Sequence, residues 1–186
     1  MQITLVRHGK PDLRLDSWLT PMAMQDWLRH YDQAGIVAGA VPATTQAQAS
    51  AAGQLASSTL PRCVQSAQLL AQGRAVLSEE VFCEAELPWP RWLYSKLPPL
   101  AWGAMFRLAW FHGLSTHARP RPQTAQRARQ AAQRLIQLAR QHDSVLLVGH
   151  GLMILLIARE LLSLGWHGPP RPASGYWQCN TYQAPG

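Results

Sequence analysis

Leu5-Val6-Arg7-His8-Gly9 closes a short apolar run that begins at Ile3. The run reads as a buried strand whose end sets a permanent cation and an imidazole nucleophile side by side, with a flexible glycine next to them. A second apolar run far down the chain ends the same way, in Val148-Gly149-His150-Gly151. Two histidines, each at the C-terminal edge of a strand and each flanked by glycine, point to one shared active centre.

Between and beyond these runs the pattern alternates. Lys10-Pro11 breaks the first strand, and the stretch to Pro21, carrying Asp12, Arg14 and Asp16, reads as a loop. Met24, Trp27, Leu28 and Tyr31 recur at helical spacing and predict a helix over 22–34, stopped by Gly35. The Ala-, Thr- and Gln-rich stretch 36–52 is expected to be a short edge segment, helical near its end, and 54–58 a strand end or turn. A helix over 61–71 follows, with Pro61 in its first turn and Ser58 or Thr59 as its cap. That places Arg62 where free backbone N–H groups already favour an anion. Ala75-Val76-Leu77 is a candidate strand, and 79–86 is acidic.

Further helices are expected over 100–113, 123–142 and 152–164, with strands over 144–148 and 176–182. Strands alternating with helices predict an α/β fold: a mostly parallel central sheet with helices on both faces. In such sheets a site lies beyond the carboxyl ends of the strands, where His8 and His150 both fall. Arg62 opens a helix nearby, and Glu84 is placed to follow another strand.

The 186 residues suit one domain, since domains commonly run to roughly 100–150 residues. An apolar fraction of 47% and a charged fraction of 15% exclude a disordered chain. A net charge of +7 favours anionic partners, leaving phosphate esters, nucleic acid and acidic lipid surfaces open on charge alone. Arg127, Arg129, Arg134 and Arg140 read as the solvated face of the 123–142 helix rather than a nucleic-acid stripe, for no aromatic or RNA-binding motif accompanies them. Cys63, Cys83 and Cys179 have neither disulfide nor zinc spacing and read as packing residues in a reduced, cytoplasmic setting. The N-terminus lacks the basic and apolar regions of a signal peptide. The most apolar stretch, 145–158, is shorter than the roughly 20 residues a membrane helix requires.

Taken together these motifs resemble the histidine phosphatase superfamily, the phosphoglycerate mutase-like group. Leu5-Val6-Arg7-His8-Gly9 is similar to its signature, and Ser57-Ser58-Thr59-Leu60-Pro61-Arg62-Cys63-Val64-Gln65-Ser66-Ala67 to its second element, with Ser66 where threonine is usual. Glu84 in Cys83-Glu84-Ala85-Glu86-Leu87 resembles the glutamate of the third element, and Val148-Gly149-His150-Gly151 the last. The pieces stand in the family's order. The resemblance implies a three-layer α/β/α sandwich and a metal-independent phosphatase acting on a small phosphomonoester and releasing inorganic phosphate. His8 would take the phosphoryl group as a phosphohistidine. Arg7 and Arg62 would clamp its oxygens, and His150, as the imidazolium, would neutralise developing charge. Glu84 would protonate the leaving alcohol and later activate water. Two arginines and a histidine supply positive charge, so no metal and no cofactor are implied.

Departures from the family pattern leave the leaving group open. The loop after the signature reads Lys10-Pro11-Asp12-Leu13, and Lys10 either adds charge at the pocket mouth or points into water. After Glu84, a glycine-containing continuation is replaced by Leu87-Pro88-Trp89, and neighbouring Glu79, Glu80 and Glu86 compete for the acid role. The segment 87–122 holds six prolines and four tryptophans, Trp89, Trp92, Trp102 and Trp110. It reads as a lid or insertion within the single domain, with Arg91, Lys96 and Arg107 available to an anionic substrate. Its helix is a core or lid element, or else a partner or membrane-interface surface. His30, His112, His117, His142 and His167 have no motif and are expected at the surface. Two further readings stay open: a mutase-like phosphoryl transferase or phosphohistidine-protein phosphatase, and a scaffold that binds phosphorylated ligands without turnover. Substrate identity and oligomeric state are not encoded in any motif.

Overall fold

Strands at Gln2–Arg7 (β1), Gln54–Ser57 (β2), Val76–Ser78 (β3), Ser144–Gly149 (β4) and Cys179–Gln183 (β5) form one sheet in the order β3-β2-β4-β1-β5. The computed structural model describes residues 1–13, 17–86, 95–113 and 121–186. All neighbours pair parallel except β5, which runs antiparallel to β1 along one edge. The sheet is thus mostly parallel, as expected. Parallel strands need crossovers, and the intervening helices supply them.

Six α-helices lie among the described residues: Pro21–Gln33 (α1), Ala43–Ala51 (α2), Pro61–Ala71 (α3), Pro99–Phe111 (α4), Arg121–His142 (α5) and Gly151–Ser163 (α6). Side-chain alternation along the strands separates two cores. Ile3 and Leu5 of β1 and Val145 and Leu147 of β4 pack against Ala131 and Leu135 of α5 and Met153 and Ile157 of α6. Val6, Leu146 and Val148 face the other way, against Ala49 of α2 and Cys63, Ala67 and Leu70 of α3. This is the three-layer α/β/α sandwich that the resemblance implied.

A smaller cluster, Met24, Trp102 and Phe106, joins α4 to α1 outside the second layer, and the Trp102 indole donates to the Leu19 carbonyl at 2.6 Å. At its other end α4 places Trp110 against Ala85 and Leu152. The helix is therefore packed along one side, while Leu100 and Leu108 on its other side are exposed.

Some local expectations need correction. The stretch 36–52 contributes no edge strand, only the isolated bridge of Ile36 with Pro11, and its second half is α2. Residues 54–57 are a full strand between β3 and β4, not a strand end. The cap of α3 is Leu60, which makes no side-chain capping bond; Pro61 simply begins the helix. The final strand starts at Cys179, because Trp177 turns the chain with φ of +63°. Trp89, Arg91 and Trp92, with Arg14, Asp16 and His117, lie outside the described residues. Among the described residues, no helix is long and apolar enough to cross a membrane.

Leu147 sits fully buried on the central strand between both layers' helices. Leu147→Ala is expected to lower unfolding free energy by about 2–5 kcal/mol, as for other buried leucine truncations. Urea denaturation checks this, with the midpoint falling at unchanged slope.

Candidate active site

The β1–β4 register pairs Arg7 with Gly149, so the next residue of each strand, His8 and His150, emerges at the same edge. The His8 amide donates to the Gly149 carbonyl at 3.1 Å, continuing the ladder past the strand ends. The two rings meet edge to face with centroids 5.2 Å apart. Strand β2, paired in parallel on the other side of β4, ends in Ser57 at the same edge and leads through Ser58 into α3 and Arg62. Three of the predicted residues are thereby delivered by three adjacent parallel strands, and Arg7 is the last residue of β1.

The His8 Nδ1 atom lies 2.7 Å from the Gly9 carbonyl. A carbonyl can only accept, so Nδ1 carries the proton and the neutral ring keeps its lone pair on Nε2. Burial pushes the His8 imidazole down to about 3, and the Arg62 and Arg7 cations push the same way against the Gly9 hydrogen bond. The ring is thus a neutral nucleophile. His150 is also held well below its ordinary value, first by burial and then by Arg62, His8 and Arg7. Its ring is thereby biased toward the neutral form. Its Nε2 lies 2.7 Å from the Ser58 hydroxyl.

Arg62 is 1% exposed. Its Nη1 donates to the Tyr31 carbonyl at 2.7 Å, its Nη2 to Asp32 Oδ1 at 3.3 Å, and its guanidinium carbon lies 4.2 Å from the Tyr31 ring centroid. Arg7 stacks on Tyr176 at 4.4 Å and donates to the Ser174 carbonyl. The Nε atoms of Arg7 and Arg62 are buried and without a hydrogen-bond partner among the described residues. Buried donors of this kind are costly unless something satisfies them, and an anion would do so.

Glu84 does not follow a strand directly; it comes after a short 3-10 turn, Glu80–Phe82, beyond β3. Its carboxylate reaches the first turn of α6, accepting from the Met153 amide at 3.0 Å and the Leu152 amide at 3.4 Å, and from its own neighbour Ala85 at 3.0 Å. The Arg107 guanidinium of α4 lies 3.8 Å away, and Arg127 of α5 donates to the Glu84 carbonyl at 2.9 Å. Arg127 thus turns inward from the face where the sequence placed it, while Arg134 pairs with Glu79 at 2.7 Å and Arg140 is exposed. Arg62, Glu84, Asp32, Arg107 and Arg127 line one cleft of about 660 Å³. Lys10 and Lys96 are exposed and do not line it. Of the remaining histidines, His30, His112, His142 and His167 are exposed.

Several groups of this site are invisible to motif reading. Ser66, noted only as a replacement for threonine, accepts from the Gly9 amide at 2.9 Å and donates to the Arg62 carbonyl at 2.6 Å, tying the nucleophile's loop to α3. Gly9 has no room for a side chain, for a Cβ there would lie 2.6 Å from the Trp177 ring. Tyr176 enters because β5 runs antiparallel: the turn before it returns to the same edge, and the Trp177 amide donates to the Arg7 carbonyl at 2.9 Å. Cys63 lies 3.3 Å from His150 Nε2, but burial pushes its thiol up to about 12, which removes it as a nucleophile.

No curated protein matches the chain significantly. Among solved structures, a mycobacterial glucosyl-3-phosphoglycerate phosphatase complexed with VO3 is similar at 21% identity and TM-score 0.61, over 97% of this chain and 91% of that one. A phosphoserine phosphatase mutant from Entamoeba histolytica in complex with phosphoserine is similar at 16% identity and TM-score 0.60, over 97% and 89%. Bacillus stearothermophilus YhfR is similar at 19% identity and TM-score 0.58, over 100% and 92%. At these identities the likeness is one of fold. The family model described as histidine phosphatase superfamily (branch 1) matches residues 3–182, so the chain belongs to that superfamily, a membership that supports the expected phosphoric monoester hydrolase.

Proposed function

We propose that the protein is a metal-independent phosphatase that hydrolyses a small phosphomonoester through a phosphohistidine on Nε2 of His8. The observation that carries this reading is the buried His8 ring, with Nδ1 held by the Gly9 carbonyl, set among Arg7, Arg62 and His150. A neutral imidazole with a fixed tautomer needs no base to remove a proton before it attacks. The Nε2–P bond forms as the ester P–O bond breaks; water then attacks the phosphoenzyme and releases inorganic phosphate.

The unpaired Nε atoms of Arg7 and Arg62 are the donors for the phosphoryl oxygens. Guanidinium groups in a site of low dielectric stabilise charge that develops on those oxygens. The Ser58 hydroxyl lies 2.7 Å from His150 Nε2; when it donates there the ring's proton is on Nδ1, and when it accepts the proton is on Nε2. The incoming dianion itself opposes the burial that holds His150 neutral, and so draws it toward the imidazolium. The cleft beside Arg62, about 660 Å³, is of the size that takes a small molecule. That similar folds are solved as phosphatases of glucosyl-3-phosphoglycerate and of phosphoserine supports a small phosphorylated metabolite as substrate. The chain's net +7 is consistent with such a substrate.

Turnover of p-nitrophenyl phosphate in EDTA is the direct check. His8→Ala is expected to abolish it, and Arg62→Ala to reduce kcat by about 100-fold or more, as for loss of one preorganised donor. Equal turnover by wild type and His8→Ala would contradict the reading.

A pH dependence of stability follows from the same two rings. Both histidines titrate near 6.5 when unfolded and well lower when folded, His8 at about 3. Between these values the unfolded chain binds protons the native one does not, so stability is fullest above pH 6.5 and is lost as pH falls toward 3. In phosphate-free buffer the urea midpoint should drop between pH 7.5 and pH 5, and His8→Asn should flatten that drop. A midpoint that rises on acidification would contradict neutral burial of the pair.

A further inference from the structure

Helix α4 is apolar on both of its sides. Its inner side, Trp102, Phe106 and Trp110, is no more than 2% exposed. Its outer side is a stripe of Leu100, Ala101, Ala104, Met105 and Leu108, all exposed, with Leu100 at 64% and Leu108 at 60%. Arg107 is the single charged residue of the helix. A surface helix of a globular protein ordinarily turns charged and polar residues outward, so a stripe of this kind marks a face that meets something other than water. The bridge between Leu19 and Leu97 brings the start of α1 beside the start of α4, where Trp18 and Met22 are 65% and 51% exposed.

We propose that this face docks on the surface of an anionic lipid bilayer, with α4 lying in the plane of the headgroups. Charge decides the occupant. From Leu87 to His142 the sequence holds nine Lys or Arg and no Asp or Glu, so all ten acidic residues lie elsewhere and this segment is the source of the net +7. Cations of the segment flank the helix. Lys96 is exposed just before its first turn, and Arg121 is exposed beyond its end, with the guanidinium carbon 5.6 Å from the Phe111 ring centroid and 5.9 Å from that of Trp110. On α1, Asp26 pairs with Arg29 and Asp32 with Arg62, and Glu84 pairs with Arg107 itself, so these carboxylates are already engaged.

An apolar stripe bracketed by cations suits the boundary between acyl chains and anionic headgroups: leucine and methionine leave water while Lys96 and Arg121 meet phosphates. The thirteen residues of α4 reach only about 20 Å, too short to cross a hydrocarbon core of roughly 30 Å, so the helix lies on the membrane and does not span it. A second copy of the chain fits less well. An isologous contact would lay this face on itself and set Lys96 and Arg121 near their own counterparts, with no acidic residue between Leu87 and His142 to receive them. Arg107 of the same helix lines the cleft beside Arg62, so docking brings that cleft close to the lipid surface.

Co-sedimentation of the full chain with vesicles of phosphatidylcholine alone, and of phosphatidylcholine mixed with phosphatidylglycerol, tests the proposal. Binding is expected to favour the mixed vesicles and to weaken as salt rises. Leu100→Gln/Leu108→Gln should weaken it by about tenfold or more, the scale of two leucines kept out of an apolar phase, while p-nitrophenyl phosphate turnover and the urea midpoint stay at wild-type values. Lys96→Glu should weaken it by about fivefold, the scale of one basic residue near an anionic surface. No binding to the mixed vesicles, equal binding to both kinds, or full binding by the double variant would overturn the proposal. So would a wild-type dimer, seen by light scattering, that becomes a monomer in the double variant, because that result assigns the stripe to a second copy.

Discussion

The pairing of β1 with β4 in parallel register, Arg7 opposite Gly149, is the constraint on which the site depends. Side chains alternate along a strand, so a slip of one residue would turn Ile3 and Leu5 out of one core and Val6 out of the other. Register is therefore fixed by two hydrophobic layers at once. Those layers set, at no further cost, the place where His8 and His150 emerge, 5.2 Å apart. Burial of apolar strands in the middle of the domain is in this sense the positioning device for polar chemistry at its edge.

The same burial shapes the electrostatics. Two imidazoles and two guanidiniums crowd a region in which His8, His150 and Arg62 are buried, and the conflict is resolved by leaving both rings neutral. Protein groups hold these side chains: the Tyr31 carbonyl and Asp32 for Arg62, the Ser174 carbonyl and Tyr176 ring for Arg7, and backbone amides for Glu84. Each contact restrains a side chain beside the two rings.

What was legible in the chain follows from where the information lies. Strands β1 and β4 and helices α3 and α6 carry dense apolar patterns with sharp Gly or Pro punctuation, and their bounds are read to within a residue or two. Helix α2 is not, because its Ala, Thr and Gln residues give little contrast between faces and it is anchored by few side chains, Thr45 and Ala49 among them. Arg7, His8, Arg62 and His150 announce themselves through local motifs. Asp32 and Tyr176 do not, because they reach the site only through tertiary structure. One rides on α1, fixed by the packing of Trp102 and Phe106 on Met24; the other rides on the turn before an antiparallel edge strand. Glu84 shows the converse. Its place beside the site was readable, yet its hydrogen bonds to the first turn of α6 were not, since no local pattern marks a cap supplied by a residue so distant in sequence.

The central claim is that a neutral His8, with its tautomer fixed by the Gly9 carbonyl, attacks phosphorus through Nε2. Rapid quench of the enzyme during turnover at neutral pH, followed by alkaline digestion and separation of the two phosphohistidine isomers, tests it directly. The account predicts acid-labile phosphate on His8, bonded to Nε2. Phosphate on Nδ1, on another residue, or on no residue while substrate is being consumed would contradict it.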